Sequence, residues 1–444
     1  MKTTLRRLWR RGGYLIGLLL ISWGALTAAQ TRLYIDIDQV GGYLLPLAIP
    51  QLLGESTEPE LGQRIRTVLR DNLERSGLFR IVDPATYIDD TPQTLDVLRY
   101  QNWSAVGAAA VIVGRLQRVS GGAQVKLELV LHDVVQQRSR FNGKEYLGAP
   151  GQYREMVHRF SDLVFRAFTG EDGPFNTQVI CVAPRGSGRQ GKDIVLMDYD
   201  GHAIRSVVAN GVLNFAPTLS PDGLTLAYTS YRDGSPNIYL RNFLTDAETH
   251  LTSGTGLALP GSWSPNGRYL ALSQTVDGNS DIYLYDTKRK RMTRLTTYWS
   301  IDVSPRFAPD GTRLVFTSDR SGSPQLYLTD VRGGAPLRLT YEGSYNTSPA
   351  WSPRDNTIVF VGRSEDHTLD IYTIRADGGE LQRLTSGGGD YESPTWAPNG
   401  RFVMYNSVRS GTWQRHVMRD HGQGDHLLPA NGTSCLSPQW VPRT

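Results

Sequence analysis

Beyond residue 178 the chain alternates apolar and polar side chains in short runs, each bounded by Asp, Gly, Asn or Pro. Alternation of period two, rich in Val, Ile, Leu and Tyr, is strand chemistry, because successive side chains of a strand face opposite sides. The runs return in a fixed order. "PTLSPDGLTLAYTS" at Pro217 is reworded as "GSWSPNGRYLALSQ" at Gly261, "PRFAPDGTRLVFTS" at Pro305, "PAWSPRDNTIVFVG" at Pro349 and "PTWAPNGRFVMYNS" at Pro394. The second proline of each phrase stands at Pro221, Pro265, Pro309, Pro353 and Pro398. A last fragment, "PQWVP", adds Pro442, so the steps are 44, 44, 44, 45 and 44 residues.

Periods of this length mark solenoids, propellers or arrays, and the content of each unit decides among them. After each "SPDG"-type turn comes an alternating strand ("LTLAYTS", "RYLALSQ"). A polar turn leads to a third strand ("NIYLRN", "DIYLYD", "QLYLTD", "DIYTIR"), and a fourth ends in "HLT" or "RLT". Four antiparallel strands per unit make a propeller blade; helical repeats would show a period of about 3.6, which is missing. Proline pre-sets one turn angle, and Asp-Gly or Asn-Gly supplies the positive φ of the next. The large apolar residue two before each proline (Leu219, Trp263, Phe307, Trp351, Trp396, Trp440) is placed to wedge between blades as packing. The last copy has no strands after it, and the first unit, from Val179, has no matching phrase before it. The C-terminal strand is therefore expected to supply the innermost strand of the first blade. That gives six blades and closes the ring without a large exposed edge.

Residues 30–171 read differently. "TRLYIDI" and "YLLPLAI" are strand-like, and "ELGQRIRTVLRDNLERSG" puts Leu61, Ile65, Val68, Leu69 and Leu73 on one helical face before Gly77. A strand "LFRIVD", a helix "TLDVLRYQNWSAVG", a long strand pair meeting at Gly121-Gly122, a strand "RSRFNGKEYLG" and a helix "QYREMVHRFSDLVFRAF" follow. Strands alternating with helices predict an α/β layer. With residues 172–177 as linker and 178–444 as propeller, the expectation is a two-domain α+β chain.

The first 29 residues change the charge balance. A cationic "MKTTLRRLWRR", an apolar run of 13 residues and "TAA" form a secretory signal peptide, cleaved after Ala29; the run is short of the ~20 needed to span a membrane. Five of the 47 Lys and Arg lie before Gln30 and none of the 43 acids do, which leaves 42 against 43 in the mature chain. Nothing in that balance points to nucleic acid. Export also bears on the two cysteines: Cys181 falls in the second strand of the composite first blade and Cys435 just before its innermost strand. They form either a disulfide that locks the ring or two free thiols.

The blade phrase, with "WSPNG", "DIYLYD" and "RLT" as it stands here, joins "NLERSGLFRIVD", "WSAVGAAAVIVGRL" and "SDLVFRAFTGEDGPFNTQVICVA". In these motifs, over nearly its whole length, the chain resembles the TolB family, the periplasmic β-propeller proteins of the Tol–Pal system. The resemblance implies a monomeric adaptor that is not an enzyme, needs no cofactor or metal, and meets membranes only through partners. It implies binding of the lipoprotein Pal at the mouth of the propeller channel and of TolA at the mature N-terminus, with colicins and other outer-membrane proteins as further partners. Carried over by position, Pal contacts fall on Leu257, Pro260, Val303, Ser304, Asn346, Thr347, Tyr391 and Glu392. The TolA segment falls on Leu33, Tyr34, Ile35, Asp36 and Ile37, whose alternation suits either strand addition to a partner's sheet or an ordinary first strand.

Three chemical signals are set aside. "GSGRQGKD" (Gly186 to Asp193) has phosphate-loop spacing, but Asp stands where Ser or Thr must hold magnesium, and it joins two strands instead of opening a helix. His416, His421 and His426 span an outer hairpin without fixed ligand geometry, and no G-x-S-x-G elbow occurs. The rival reading is a propeller-domain hydrolase or carbohydrate-binding protein at the channel mouth. It would recruit Asp302, Asp390 and Glu392.

Overall fold

The structure, a computed structural model, describes residues 44–443 apart from 89–91, 93, 186–190, 366, 388, 410, 411 and 433. The expected signal peptide and Leu33, Tyr34, Ile35, Asp36 and Ile37 lie outside the described residues.

Six four-stranded sheets follow the α/β layer. Five are consecutive in sequence, with innermost strands Asn214–Leu219, Ala258–Trp263, Asp302–Phe307, Asn346–Trp351 and Asp390–Trp396. In the remaining sheet, the first blade, Leu436–Pro442 lies innermost and pairs antiparallel with Thr177–Pro184. The expected ring of six blades closed by the C-terminal strand is the architecture found. Cys181 and Cys435 are joined by a disulfide, with Cα atoms 5.5 Å apart, inside this closing blade.

The repeated words each have a physical office. In "SPDG", Gly223, Gly267, Gly311 and Gly400 sit at φ of 67–71°, where a Cβ would be strained. In "DIY…RLT", the Thr hydroxyl oxygen accepts from the strand amide after the acid, at 3.0 Å for Thr296 to Ile282 and 2.9 Å for Thr385 to Ile371. The Arg of the motif pairs with the buried Asp: Arg294 with Asp281, and Arg383 with Asp370 at 2.8 Å. In these two blades the buried carboxylate is thereby paired and hydrogen-bonded, while Asn237 and Gln325 take the position in two others, each accepting from the motif Thr hydroxyl at 3.2 and 2.7 Å. The wedge residues tie blade to blade, Trp263 Nε1 donating to Thr218 O at 3.2 Å and Trp396 Nε1 to Ala350 O at 3.0 Å. Trp440 Nε1 donates to Thr177 Oγ1 at 2.6 Å across the closing pair.

In the α/β layer, β1 (Leu45–Ala48) lies parallel to both β2 (Phe79–Ile81) and β3 (Ala110–Val119), and β3 pairs antiparallel with β4 (Gln124–Asp133). Helices α1 (Pro59–Arg75) and α3 (Tyr153–Thr169) cover one face. Two expectations are corrected. The helix expected over residues 94–107 is only Tyr100–Ala105, α2, because the Leu95 carbonyl is taken by His132 Nε2 at 2.8 Å and Leu95 and Leu98 are drawn into the opposite core. The strand expected over 138–148 breaks into Arg138–Ser139 and Lys144–Gly148, both against β4.

One core runs through both parts. Ile65, Val68, Phe160 and Val164 of the helices share it with Val179, Met197, Tyr199, Phe402 and Trp440 of the propeller. Its polar edge is equally shared. Tyr199 donates to Asn72 at 2.6 Å, Asn72 in turn touches His158 Nδ1 at 3.0 Å, and Arg401 forks onto Glu171 at 2.6 and 2.7 Å. The segment read as a linker is a packed joint, with Phe175 buried and its amide held by Asp162 at 2.8 Å.

His158, Asp198 and Asp200 converge in this joint closely enough to hold a cation. However, Arg154 occupies Asp200 and Arg443 occupies Asp198, so the carboxylates are already neutralised. Burial drives His158 down to about 3, with Arg154 and Arg443 adding to the effect and Asp200 opposing it.

Two outcomes follow. Under denaturing, non-reducing conditions neither cysteine should alkylate, and reduction should cost up to about 5 kcal/mol by loop entropy; two reactive thiols before reduction would contradict the pairing. The contribution of His158 to stability should fall as pH drops from 6.5 toward 3, because the unfolded chain then takes a proton that native His158 refuses. Burial also lowers His132, His202 and His426, which act in the same sense, whereas burial raises Asp162 to about 6 and also raises Asp198, Glu74 and Glu392, which oppose them. In denaturant titrations H158Q should flatten the slope by about 1 kcal/mol per pH unit. An unchanged slope would remove His158 from the account.

Candidate functional site

Each innermost strand carries a bulge, and the bulge divides the channel wall into levels. The register shifts between Phe215 and Thr218, Pro260 and Ser262, Val303 and Arg306, Thr347 and Ala350, Glu392 and Thr395, and Leu436 and Gln439. In five blades a residue at positive φ makes the bend: Ala216, Ser304, Ser348, Ser393 and Ser437, at φ of 49–56°. The third blade has Pro260 at that position and Gly261 where the other blades have proline; a Cβ on Gly261 would stand 2.3 Å from the Pro305 carbonyl of the next blade.

The eight positions carried over from the family divide in two. Val303, Thr347 and Glu392 occupy the same register position on successive blades, just before the bulge, and are half-buried in the channel wall. Ser304 is the bulge residue itself, and Leu257 is exposed in the loop before its strand. The other three are structural. Asn346 is 4% exposed, its amide donating to Gln325 Oε1 and Glu342 O, both at 2.8 Å. Tyr391 is buried edge-on against Tyr405, and Pro260 is buried.

The ring is completed by residues not singled out from sequence: Phe215, Leu259 and Leu436, one period or two from Val303 and Glu392. Applying the repeat to Val303 would have found them. The mouth wall is therefore Phe, Leu, Val, Thr, Glu and Leu, apolar except for one acid and one hydroxyl. Burial raises Glu392 above the ordinary carboxylate range, with Asp390 adding to it.

Around this end the loops that enter the innermost strands expose large apolar groups. Trp299 is 78% and Tyr341 73% exposed, and Tyr298 and Ile301 stand beside Trp299. Arg320 lies over the Tyr298 ring at 5.4 Å and Arg338 over the Tyr341 ring at 4.9 Å, which holds two of these exposed groups in place, and large apolar side chains left to solvent are a signature of a docking face.

The acids that a reaction would need are committed elsewhere. Asp302 is buried and paired with Arg320 at 2.8 Å, and Asp390 accepts from the Leu369 amide at 3.4 Å. On the outer hairpin, His416 bonds Asp425 at 3.1 Å and His421 bonds Asp420 at 2.9 Å, so neither converges with the other on one point. Of the phosphate-loop lookalike, Gly186–Gln190 lie outside the described residues, and Lys192 opens a strand, Lys192–Asp198.

Known proteins share this plan. A family model described as the TolB amino-terminal domain matches residues 33–140, and one described as the TolB beta propeller domain matches residues 165–444. The Tol-Pal system protein TolB of Paramagnetospirillum magneticum is 32% identical over 235 residues, 52% of this chain and 52% of that protein. Its counterpart in Nitrosomonas europaea is 33% identical over 232 residues, again 52% of each. The chain thus spans about half the length of the curated relatives it matches. The crystal structure of TolB from Acinetobacter baumannii aligns at a TM-score of 0.79, over 93% of this chain and 100% of that one, with 25% identity. With both parts matched in order and the propeller match alone covering more than half of the residues, the chain belongs to the TolB family.

Proposed function

We propose that the chain is a periplasmic adaptor of the Tol–Pal system that performs no reaction. On this reading it takes the lipoprotein Pal at the channel mouth and TolA at Leu33–Ile37, in support of outer-membrane integrity and constriction at division. One observation carries the reading: the apolar ring at the mouth and the exposed Trp299, Tyr298, Ile301 and Tyr341 crowd one end of the channel. Aromatic anchors on a rigid rim suit a protein partner, because they bury much area at little entropic cost. Family membership names the system, and the signal peptide supplies export.

The rival, a hydrolase or carbohydrate-binding protein, needs several convergent acids or bases, and Glu392 is left without the company of Asp302. The TolA segment would join a partner's sheet by main-chain hydrogen bonds, for which its alternation is suited.

Isothermal titration with the soluble domain of the lipoprotein tests the docking face. W299A should weaken binding at least about tenfold while the unfolding midpoint stays put. Deleting residues 33–37 should leave that binding intact and abolish capture of TolA. Equal affinity of W299A and wild type would remove the rim from the interface, and turnover of a chromogenic ester or glycoside would favour the rival.

A further inference from the structure

Beyond the bulge, toward the "SPDG" turns, the channel holds a cavity of about 420 Å³. Its walls are the wedge tryptophans and a ring of prolines, and no Asp or Glu is among the described residues that line it. One register position past the bulge, the six blades present Thr218, Ser262, Arg306, Ala350, Thr395 and Gln439. Five of these line the cavity, and apart from Ala350 they are polar: Ser262, Arg306, Thr395 and Gln439 carry its side-chain polar groups at this level.

The hydrogen bonds already made at this level decide what the cavity offers. Ser262 Oγ accepts from the Phe307 amide at 2.8 Å, Thr395 Oγ1 from the Trp440 amide at 3.3 Å, and Gln439 Oε1 from the Leu219 amide at 2.8 Å. In each case the acceptor is used to bind the neighbouring blade, so the hydroxyl protons and the amide NH2 are left to donate. Arg306 gives Nη1 to the Gly261 carbonyl at 2.6 Å, and its Nε, buried, has no hydrogen-bond partner. No carboxylate faces the guanidinium, and burial pulls it down to about 10. An uncompensated cation with an unmet donor is costly in a covered place. Here it stands in a ring of donors without an acidic partner.

We propose that this cavity is a binding site for a small organic carboxylate, its oxygens on Arg306 and the neighbouring donors and its apolar body against the tryptophan and proline walls. A guanidinium fork matches a carboxylate in two parallel hydrogen bonds. The size falls within the range of ~300–1,000 Å³ usual for small-molecule sites. Inorganic phosphate shares the charge but has no use for the apolar wall. The site lies past the bulge from the mouth ring, and the inference stands whether or not a lipoprotein docks there.

Benzoate, benzamide and inorganic phosphate titrated into the mature protein, followed by tryptophan fluorescence and calorimetry, test it. Benzoate should bind saturably and quench the wall tryptophans, benzamide should not, and R306Q should weaken benzoate at least tenfold without lowering the unfolding midpoint. R306K, which keeps the charge and loses the fork, should fall between. Should R306Q fail to fold, the contrast between benzoate and benzamide on the wild-type protein decides alone. Equal binding of the two, no saturable response to benzoate, phosphate binding as tightly as benzoate, or an R306Q affinity equal to wild type would each overturn the assignment.

Discussion

A propeller is stable only as a ring, and here the ring depends on one pairing between segments at opposite ends of the sequence: Leu436–Pro442 against Thr177–Pro184. Without it the first blade would lose its innermost strand, and a row of amide and carbonyl groups would face the channel unpaired. The pairing is reinforced on every side. The disulfide joins its flanks, Trp440 donates to Thr177, Gln439 accepts from the second blade and Thr395 of the sixth blade holds the Trp440 amide. The same blade delivers Val179, Cys181, Met197, Tyr199 and Trp440 to the core shared with α1 and α3. Ring closure and docking of the α/β layer are therefore one cooperative event, because the same side chains serve both.

Once the ring is closed, the innermost strands act as six staves with levels of distinct chemistry. Before the bulge they are mainly apolar and sit beneath an aromatic rim; just past it they present donors; at the end they carry the wedges and prolines. The wedge repeats because every blade has the same packing problem to solve, and the motif Thr recurs because the strand amide it binds does too. The mouth and donor levels do not repeat in identity. A repeat frees those positions from structural duty, and specificity can be written there. Glu392 among apolar neighbours and Arg306 among hydroxyls are the two charged departures.

Most of the architecture was legible in the sequence because its signals are local. Alternation, Asp-Gly turns and a 44-residue period need no knowledge of distant contacts, and the missing strand of the first unit followed from counting. What escaped was decided by contacts far apart in sequence. The helix expected from residue 94 is cut short by His132, 37 residues from the Leu95 carbonyl it binds. Asn346 resembled a mouth contact by position, yet Gln325 and the Glu342 carbonyl hold it inside. Trp299 escaped for the opposite reason: it lies in an off-period loop, where only three dimensions tell an exposed anchor from a buried wedge. Phe215, Leu259 and Leu436 were readable, since the period applied to one mouth residue yields the others.

The central claim is that the C-terminal strand closes the ring and thereby holds the α/β layer. Hydrogen–deuterium exchange of the mature chain, of the same chain ending at Ser434, and of the C435S variant tests it most directly. The account expects residues 177–184 and helix α3 to lose protection together in the shortened chain and to keep most of it in C435S, since the strand remains. Protection of residues 177–184 in the shortened chain equal to that of the full chain would contradict it.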